Sequence, residues 1–351
     1  MKIGIVGLPN VGKSTLFQAL TKKQVDTSNY PFATIDPNVG VVAVPDERLQ
    51  VLGELSHSKK IIPASIEFVD IAGLVKGAHE GEGLGNKFLS HIREVDAILE
   101  VVRAFENRDI HHVAGRIDPR EDISIIHTEL ALADLDTTDK AIARVEKETR
   151  TGDAHAKKKL EGLQLLRRIL VEGGMANEYT PKNDDELDGI RELQLLTSKP
   201  VIFLFNTEEP DSFNEKMFTP NALDSRSQVV ALNVKMEDEI SQLGENAGEL
   251  AHLSRINTLI KKAYAAVGLI AFLTTGEDET RAWATPKDST APRAGRAIHS
   301  DFEEKFIRAD IVSYENLVKA ASWSKARELG VLQTKGKDYI VQDGDVIEFK
   351  I

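Results

Sequence analysis

Short apolar runs recur along the chain, and the segments between them carry apolar residues at helical spacing. Near-continuous apolar runs bounded by turns are typical of strands that are buried on both faces of a parallel sheet. Strands of this kind that alternate with helices predict a domain of the α/β class. The predicted strands are residues 2–6, 65–70, 97–102, 200–205 and 228–232.

The interval between the third and fourth predicted strands holds about 95 residues, which is too long for a single crossover connection. Two long amphipathic helices joined by a short turn would fill it as an antiparallel hairpin. Gly173 and Gly174 would end the second helix. We therefore predict that residues 122–196 form a helical insertion. The apolar stripes of its two helices are Ile123, Ile126, Leu130 and Ala133, then Leu160, Leu163, Leu166 and Leu170.

The pattern changes from about residue 268. Residues 270–285 look like strands, and residues 299–308 look helical. Two short alternating segments flank Asp343 and Gly344, which predicts a closing β-hairpin. These elements indicate a small mixed domain at the C-terminal end of the chain.

Composition and net charge indicate the cellular compartment and exclude some kinds of partner. The chain has no cysteine, which excludes disulfides and thiolate metal sites and suits a reducing cytosol. Its net charge of −12 argues against bulk attraction to nucleic acid, and we interpret its basic clusters as solvated helix faces. No apolar run reaches the roughly 18 residues of a membrane span, and no signal-peptide pattern is present. We expect a cytoplasmic protein without a membrane partner.

Residues 7–14 carry a phosphate-binding pattern. They read Gly-Leu-Pro-Asn-Val-Gly-Lys-Ser, between the first predicted strand and a predicted helix that starts at residues 15–20. The backbone N–H groups of such a loop and the N-terminus of the helix attract phosphate oxygens. We expect Lys13 to reach the outer phosphates and Ser14 to hold a magnesium ion. The nucleotide-binding residues predicted in this loop are Asn10, Val11, Gly12, Lys13, Ser14 and Thr15.

Two further segments narrow the class of nucleotide-binding protein. Asp70 and Gly73 form a D-x-x-G motif, in which Asp70 would support the metal and the amide of Gly73 would face the γ-phosphate. Loss of that phosphate frees the loop in switch proteins. Thr34 lies between the phosphate loop and this motif and is the candidate for a second side-chain oxygen on magnesium. Taken alone, Thr34 fits an ordinary strand residue equally well.

The fourth predicted strand ends in a loop that would read the nucleotide base. Guanine-specific proteins of this class have N-K-x-D here, whereas this chain has Asn206, Thr207, Glu208 and Glu209. An aspartate at the last position accepts two hydrogen bonds from guanine, and the longer glutamate would misplace that pair. The loop therefore argues against tight guanine selection and leaves adenine open, although Asn206 capping a turn fits the same pattern. Asn233, after the fifth predicted strand, completes the candidate nucleotide-binding residues.

These motifs resemble the Obg-like ATPase (YchF) family. The resemblance implies a Ras-like P-loop domain with a mainly parallel sheet, an inserted antiparallel helical hairpin, and a C-terminal β-grasp, ubiquitin-like TGS domain. The three domains would be residues 1–121 with 197–267, residues 122–196, and residues 268–351. The similarity extends over essentially the whole chain and is carried by residues 7–15, 29–35, 70–76, 81–89, 128–135, 206–209 and 336–345.

The resemblance also implies an activity and partners. Family members hydrolyse ATP in preference to GTP and associate with ribosomes, and RNA contact through the helical and TGS domains is a further expectation. Ras-type enzymes orient the attacking water with a glutamine after D-x-x-G, where this chain has Leu74. The family is thought to use a loop histidine instead, which matches His112, with His111 as the neighbouring alternative. Asn10 matches an asparagine that helps to bind K⁺ in related GTPases.

Two other functions stay open. An Obg-type GTPase is favoured by Asn206 and by the order of the motifs, whereas Thr207 and Glu209 count against it. A ribosome-binding module that holds nucleotide as a structural ligand is favoured by the missing glutamine and opposed by His112. The leading hypothesis is a slow Mg²⁺-dependent ATPase that acts as a switch on the translation machinery.

Overall fold

The structure is a computed structural model that describes residues 1–22, 37–71, 84–105, 118–150, 152–214 and 227–351. Its residue contacts divide the chain into two compact units. The first contains the described residues of Met1–Lys22, Ile35–Gly40 and Glu67–Ile256, and the second contains Val41–Ile66 and Asn257–Ile351. The three-domain division expected from the sequence is finer than this one and stays a prediction.

One six-stranded sheet is mainly parallel and has the strand order β2-β4-β1-β5-β6-β7. Parallel pairing joins β1 to both β4 and β5, β5 to β6, and β6 to β7. All five predicted strands are confirmed to within one residue, whereas β2 was not predicted. The strands are β1 (Lys2–Val6), β2 (Val39–Ala43), β4 (Ser65–Asp70), β5 (Ala97–Arg103), β6 (Val201–Asn206) and β7 (Gln228–Leu232).

Besides α2 (Arg48–Leu55), which belongs to the second unit, seven α-helices lie along the described residues of Met1–Ala266, and the last of the seven also falls almost entirely in the second unit. Short 3₁₀ helices occur at Ala176–Glu178, Leu196–Ser198 and Gly244–Leu253. In the described parts of the chain, no helix has both the length and the apolar character needed to cross a membrane. The seven are α1 (Lys13–Thr21), α3 (Leu84–Arg93), α4 (Pro119–Thr149), α5 (Ala154–Val171), α6 (Asp184–Arg191), α7 (Val234–Leu243) and α8 (Ile256–Ala266).

The predicted helical hairpin is confirmed in α4 and α5. Ala131, early in α4, packs with Leu166 late in α5, whereas Val145, late in α4, packs with Leu163 nearer the start of α5. This order of contacts is that of an antiparallel pair. Each helix begins at an aspartate whose side chain accepts backbone N–H bonds, Asp118 for α4 and Asp153 for α5.

A buried carboxylate connects α4 to the segment that leads into β6. Asp134 is 0 % exposed and accepts hydrogen bonds from the N–H of Leu196 at 2.9 Å and from the N–H and Oγ1 of Thr197 at 2.8 and 2.7 Å. Burial raises the pKa of Asp134, and these donors oppose the shift because they stabilise the ionised form. The contacts hold the end of the helical segment where β6 starts.

The second unit contains a mixed sheet with the order β11-β10-β12-β8-β9-β3. Its strand β8 pairs with β9 in antiparallel fashion and with β12 in parallel. The first and last strands of the C-terminal segment are therefore adjacent and parallel, as expected for a β-grasp. The strands are β3 (Lys60–Ile62), β8 (Leu269–Thr275), β9 (Glu279–Pro286), β10 (Arg308–Ser313), β11 (Gln333–Lys335) and β12 (Asp345–Lys350).

Short helices complete this unit. Ala291 and Ala294 of the first of them pack with the sheet around Phe272, Phe306 and Ile347, which are almost completely buried. The ring of Phe349 meets those of Phe272 and Phe306 edge to face. The helices are α9 (Ala291–Gly295), α10 (Ser300–Glu304), α11 (Tyr314–Ala320) and α12 (Trp323–Glu328).

Two predictions for this tail were wrong in detail. The helix expected over residues 299–308 covers only Ser300–Glu304, and Arg308 begins β10. The closing hairpin does not form, because β12 pairs with β10 and β8 instead of with residues 339–342. The turn docks on β8, where the N–H of Ala271 donates to Asp343 Oδ1 at 2.9 Å and the N–H of Gly344 donates to the Ala271 carbonyl at 2.8 Å. Local alternation cannot identify such a distant partner.

Candidate nucleotide-binding site

The carboxyl ends of the parallel strands meet at one edge of the first sheet. In open α/β sheets this edge is where ligands bind. The register puts Ile5 beside Asp70 and Arg103 beside Asn206, whereas Val6 pairs with Glu100, so β5 and β6 extend about three residues beyond the ends of β1 and β4 at this edge. Most of the predicted site residues follow these strand ends because the hydrophobic strands themselves position them.

The phosphate loop turns through backbone conformations that favour glycine. Gly7 has φ 151° and Gly12 has φ 106°, and Asn10 adopts φ 63° between them. A Cβ atom on Gly7 would lie 2.5 Å from the Val101 carbonyl oxygen, so this glycine also permits close packing on β5. The loop then passes directly into α1, which begins at Lys13.

Lys13 is folded back onto its own loop. Its Nζ donates to the carbonyl oxygens of Gly7 at 3.0 Å and Leu8 at 2.8 Å. Burial lowers the pKa of Lys13, and the nearby Asp70 carboxylate opposes that shift. The ammonium group is therefore held at the loop by two acceptors that phosphate oxygens would replace.

Ser14 and Asp70 form an oxygen-rich pair beside the loop. Ser14 Oγ donates to Asp70 Oδ2 at 3.5 Å. Burial raises the pKa of Asp70, while Lys13 and Ser14 oppose the shift. A hydroxyl and a carboxylate are the hard oxygen ligands that Mg²⁺ prefers, and Mg²⁺ commonly takes few protein ligands when phosphates supply others. These residues fit the predicted metal. Among the described residues, no group of three or more acidic, histidine or cysteine side chains is arranged to hold a metal ion.

Asn206 joins the phosphate loop to the base side of the site. The side chain lies at the end of β6 and is 7 % exposed. Its Nδ2 donates to the Val11 carbonyl at 3.0 Å, and its Oδ1 accepts from the N–H of Val234 at 3.1 Å. Both halves of the amide are thus used within the protein, so Asn206 shapes the site as a brace between two loops.

An open pocket of about 830 Å³ lies against this brace. The phosphate loop and the loops after β6 and β7 come together at this pocket. Six residues predicted to bind nucleotide line it, and their binding roles stay predictions: Asn10, Gly12, Thr15, Asn206, Thr207 and Asn233. Asn233 also caps α7, because its Oδ1 accepts from the N–H of Met236 at 3.0 Å. A volume of this size suits a small organic ligand.

Glu209 lies differently from its sequence neighbours. Its carboxylate accepts a hydrogen bond from Ser212 Oγ at 3.0 Å, and Glu209 is not among the residues that line the pocket. The exposed Glu208 lines the pocket instead. The acid that the sequence assigns to base reading is therefore hydrogen-bonded within its own loop.

Part of the pocket wall consists of residues that were not predicted from the sequence. Phe105, Lys235, Met236 and Glu239 all line it. Phe105 follows β5, and the other three lie on α7 just after β7, so the rule that ligands bind beyond the carboxyl ends of strands could have found them. Their residue types carry no motif, which is why pattern matching passed over them.

Buried Arg103 holds Phe105 in that wall. Its guanidinium carbon lies 4.6 Å from the centroid of the Phe105 ring, and its Nε donates to the Phe105 carbonyl at 3.3 Å. Asp122, at the start of α4, interacts electrostatically with Arg103 and opposes the lowering of its pKa by burial. One charged side chain thus contacts the pocket wall and faces the first turn of the helical hairpin.

Three predicted site residues lie outside the described residues. They are Thr34, which was expected to bind the metal, Gly73, which was expected to face the γ-phosphate, and His112, which was expected to orient water. Their assignments stay predictions.

Two family models match this chain. One, described as a 50S ribosome-binding GTPase, covers residues 2–133. The other describes the C-terminal region of YchF GTPases as a protein of unknown function and covers residues 269–351. The first match contains the phosphate loop and Asp70, and the second contains nearly the whole C-terminal β-grasp.

Full-length relatives are similar to the chain from end to end. A "Ribosome-binding ATPase YchF" of Haemophilus ducreyi is 46 % identical over 359 residues, covering 99 % of this chain and 98 % of the relative. The protein of the same name from Bacillus subtilis is 45 % identical over 361 residues, with the same coverage of both chains. The solved structure of the Schizosaccharomyces pombe YchF GTPase superimposes with a TM-score of 0.87 at 38 % identity, covering 100 % of this chain and 97 % of that one.

The brace gives a stability prediction. Asn206→Ala leaves the Val11 carbonyl and the Val234 N–H without their partners, so we expect the free energy of unfolding to fall by about 2 kcal/mol. Urea unfolding followed by circular dichroism measures the change. Asn214→Ala is the matched control, because Asn214 is exposed and should tolerate the change within about 0.5 kcal/mol. Equal unfolding midpoints for the two variants would contradict the brace.

Proposed function

The chain belongs to the YchF family, and from this premise we propose that it is a Mg²⁺-dependent ATPase that associates with ribosomes and switches state with its nucleotide. The observation that carries the proposal is a complete phosphate loop that opens onto a pocket of about 830 Å³. The names of the full-length relatives supply the nucleotide and the partner.

The proposed reaction is attack of water on the γ-phosphorus of ATP, with ADP leaving. The loop N–H groups and Lys13 Nζ would stabilise the charge that develops on the phosphate oxygens. Lys13 already has its ammonium group at the loop carbonyls, so it needs only to exchange those acceptors for phosphate. Mg²⁺, held by Ser14, Thr34 and Asp70, would neutralise phosphate charge when bound. Binding of K⁺ through Asn10 stays a prediction.

We propose that the base pocket accepts adenine more readily than guanine. Guanine selection in related proteins requires an aspartate that pairs with two donors of the base, and this chain has Glu209 at that position. Glu209 is also drawn toward Ser212, away from the pocket. The site therefore lacks the geometry that would reward guanine, while the apolar contacts of Phe105 and Met236 suit any purine.

Competition between unlabelled ATP and GTP for a fluorescent nucleotide tests this selectivity. We expect ATP to displace the label at lower concentration. Restoring N-K-x-D with Thr207→Lys and Glu209→Asp should shift the affinity ratio toward GTP by about tenfold or more, because the paired contact to guanine becomes available. Glu161→Asp is the matched control, since it shortens an exposed acid on α5 outside the pocket lining and should leave the ratio unchanged. A wild-type preference for GTP would reject the ATPase proposal.

His112 is proposed as the residue that orients the attacking water, because Leu74 cannot do so. His112→Ala should lower the single-turnover rate of hydrolysis by roughly 100-fold while nucleotide affinity is retained. The adjacent His111→Ala is the control and should hydrolyse ATP normally. A loss of rate in His111→Ala alone would assign the orientation of the attacking water to His111 instead. Unchanged rates in both variants would favour a ribosome-binding module with nucleotide as a structural ligand.

We further propose that the nucleotide state controls ribosome association, which locates the protein in the cytoplasm with its partner. Co-sedimentation with ribosomes should differ between a non-hydrolysable ATP analogue and ADP, since only the triphosphate can order the loops around the γ-phosphate. Equal pelleting with both nucleotides would reject the switch, and no pelleting in any state would reject the partner. RNA contact through the helical and TGS domains stays a prediction within this proposal.

A second candidate function is an Obg-type GTPase. The match of residues 2–133 to a 50S ribosome-binding GTPase model favours it, as does the name of the S. pombe relative. Against it stand Thr207 and Glu209, which replace the lysine and aspartate of the guanine-reading loop. The nucleotide competition distinguishes the two functions directly.

A further inference from the structure

A second cleft, of about 470 Å³, lies entirely within the second unit. No motif accounts for it, and none of the predicted nucleotide or metal residues lines it. Four aromatic rings and two carboxylates make up most of its wall, on β9, α10, α12 and β12. We call this the aromatic cleft and define it by Glu279, Trp283, Phe302, Trp323, Glu348 and Phe349.

The rings of the aromatic cleft are held in place by other groups. Trp283 Nε1 donates to Thr274 Oγ1 at 3.0 Å, which fixes the indole on the sheet. The rings of Phe302 and Phe349 meet edge to face with centroids 6.0 Å apart. All four aromatic side chains stay partly exposed. The cleft is therefore a preformed apolar surface that remains open to a ligand.

The charge of the cleft selects the kind of ligand. Its lining contains Glu279 and Glu348 but no lysine, arginine or histidine. Glu348 is paired with Lys350, whereas the carboxylate of Glu279 has no hydrogen-bond or ion-pair partner among the described residues. The unpaired carboxylate of Glu279 attracts a cation and repels the phosphates of a nucleic acid.

An arginine of the protein itself stacks on one of these rings, as a bound cation could. The guanidinium carbon of Arg281 lies 4.0 Å from the centroid of the Trp283 ring. Such stacking is favourable because the face of an indole is electron-rich, and arginine uses it more often than lysine. Trp323, on α12, supplies a second indole to the lining of the same cleft.

We propose that the aromatic cleft binds an arginine side chain on a basic segment of a partner protein. The guanidinium stacks on the aromatic wall, and Glu279 neutralises its charge. This interaction needs neither the phosphate loop nor a bound nucleotide, so it stands apart from the proposed ATPase function.

The chain reports on this cleft through its fluorescence, because both of its two tryptophans, Trp283 and Trp323, line it. The probe is the peptide acetyl-Gly-Arg-Gly-Arg-Gly-amide, titrated into the full-length protein. We expect a saturable change in tryptophan emission that weakens as salt is added. The same peptide with citrulline in place of arginine is neutral and nearly isosteric, and it should give no saturable change.

Two glutamine variants separate the cleft from the general acidity of the surface. Glu279→Gln should weaken binding of the arginine peptide by about fivefold, the effect of losing one partly exposed charge pair. Glu277→Gln makes the same change two residues away, outside the lining, and should bind as the wild type does. Equal binding of the citrulline peptide, an unaffected Glu279→Gln, or saturable binding of a single-stranded oligouridine in preference to the arginine peptide would each overturn the proposal.

Discussion

One buried amide sets the separation between the phosphate side and the base side of the candidate site. Asn206 reaches Val11 with its nitrogen and Val234 with its oxygen, so two loops from distant parts of the chain are fixed to the end of one strand. The close fit extends to Gly12, where a Cβ atom would lie 2.8 Å from Asn206 Nδ2. The glycine of the phosphate loop and the asparagine of the base loop are therefore packed against one another. Neither motif would have its geometry without the other.

Buried charged side chains also connect the pocket wall to the helical hairpin. Arg103 stacks on Phe105 in the pocket wall and faces Asp122 of α4. Three residues earlier on β5, the buried Glu100 lies 3.2 Å from His127 Nε2, also on α4. Burying such groups is costly unless they are paired, so α4 cannot shift along β5 without exposing or separating charges. The hairpin is thus joined to the strand that ends at the pocket by polar contacts that a simple apolar interface would lack.

Much of the fold and of the candidate site could be predicted because local sequence patterns indicate it. The five buried strands, the helical hairpin and the phosphate loop all have periodicity or spacing that reflects their structure directly. The strand β2 has an apolar run of its own and was nevertheless not predicted. The pocket residues Phe105 and Met236 have no such signature, since tertiary position alone gives them their roles. The failed hairpin at Asp343 has a similar cause, because alternation predicts a strand but not its partner. The role of Asn206 was left between base reading and capping, and the structure adds that its amide is occupied by the protein.

Charge limits how this protein can meet a large anionic partner. A net charge of −12 produces a field that repels RNA at long range, so the proposed association with a ribosome would rest on short-range contacts that overcome it. Basic side chains of a partner protein face no such barrier, and an acidic aromatic cleft is complementary to them. A protein of this composition gains more from contacts with basic protein segments than from contacts with the phosphate backbone. The sign of the cleft therefore agrees with the sign of the whole molecule, and both favour a protein component of the partner at this surface.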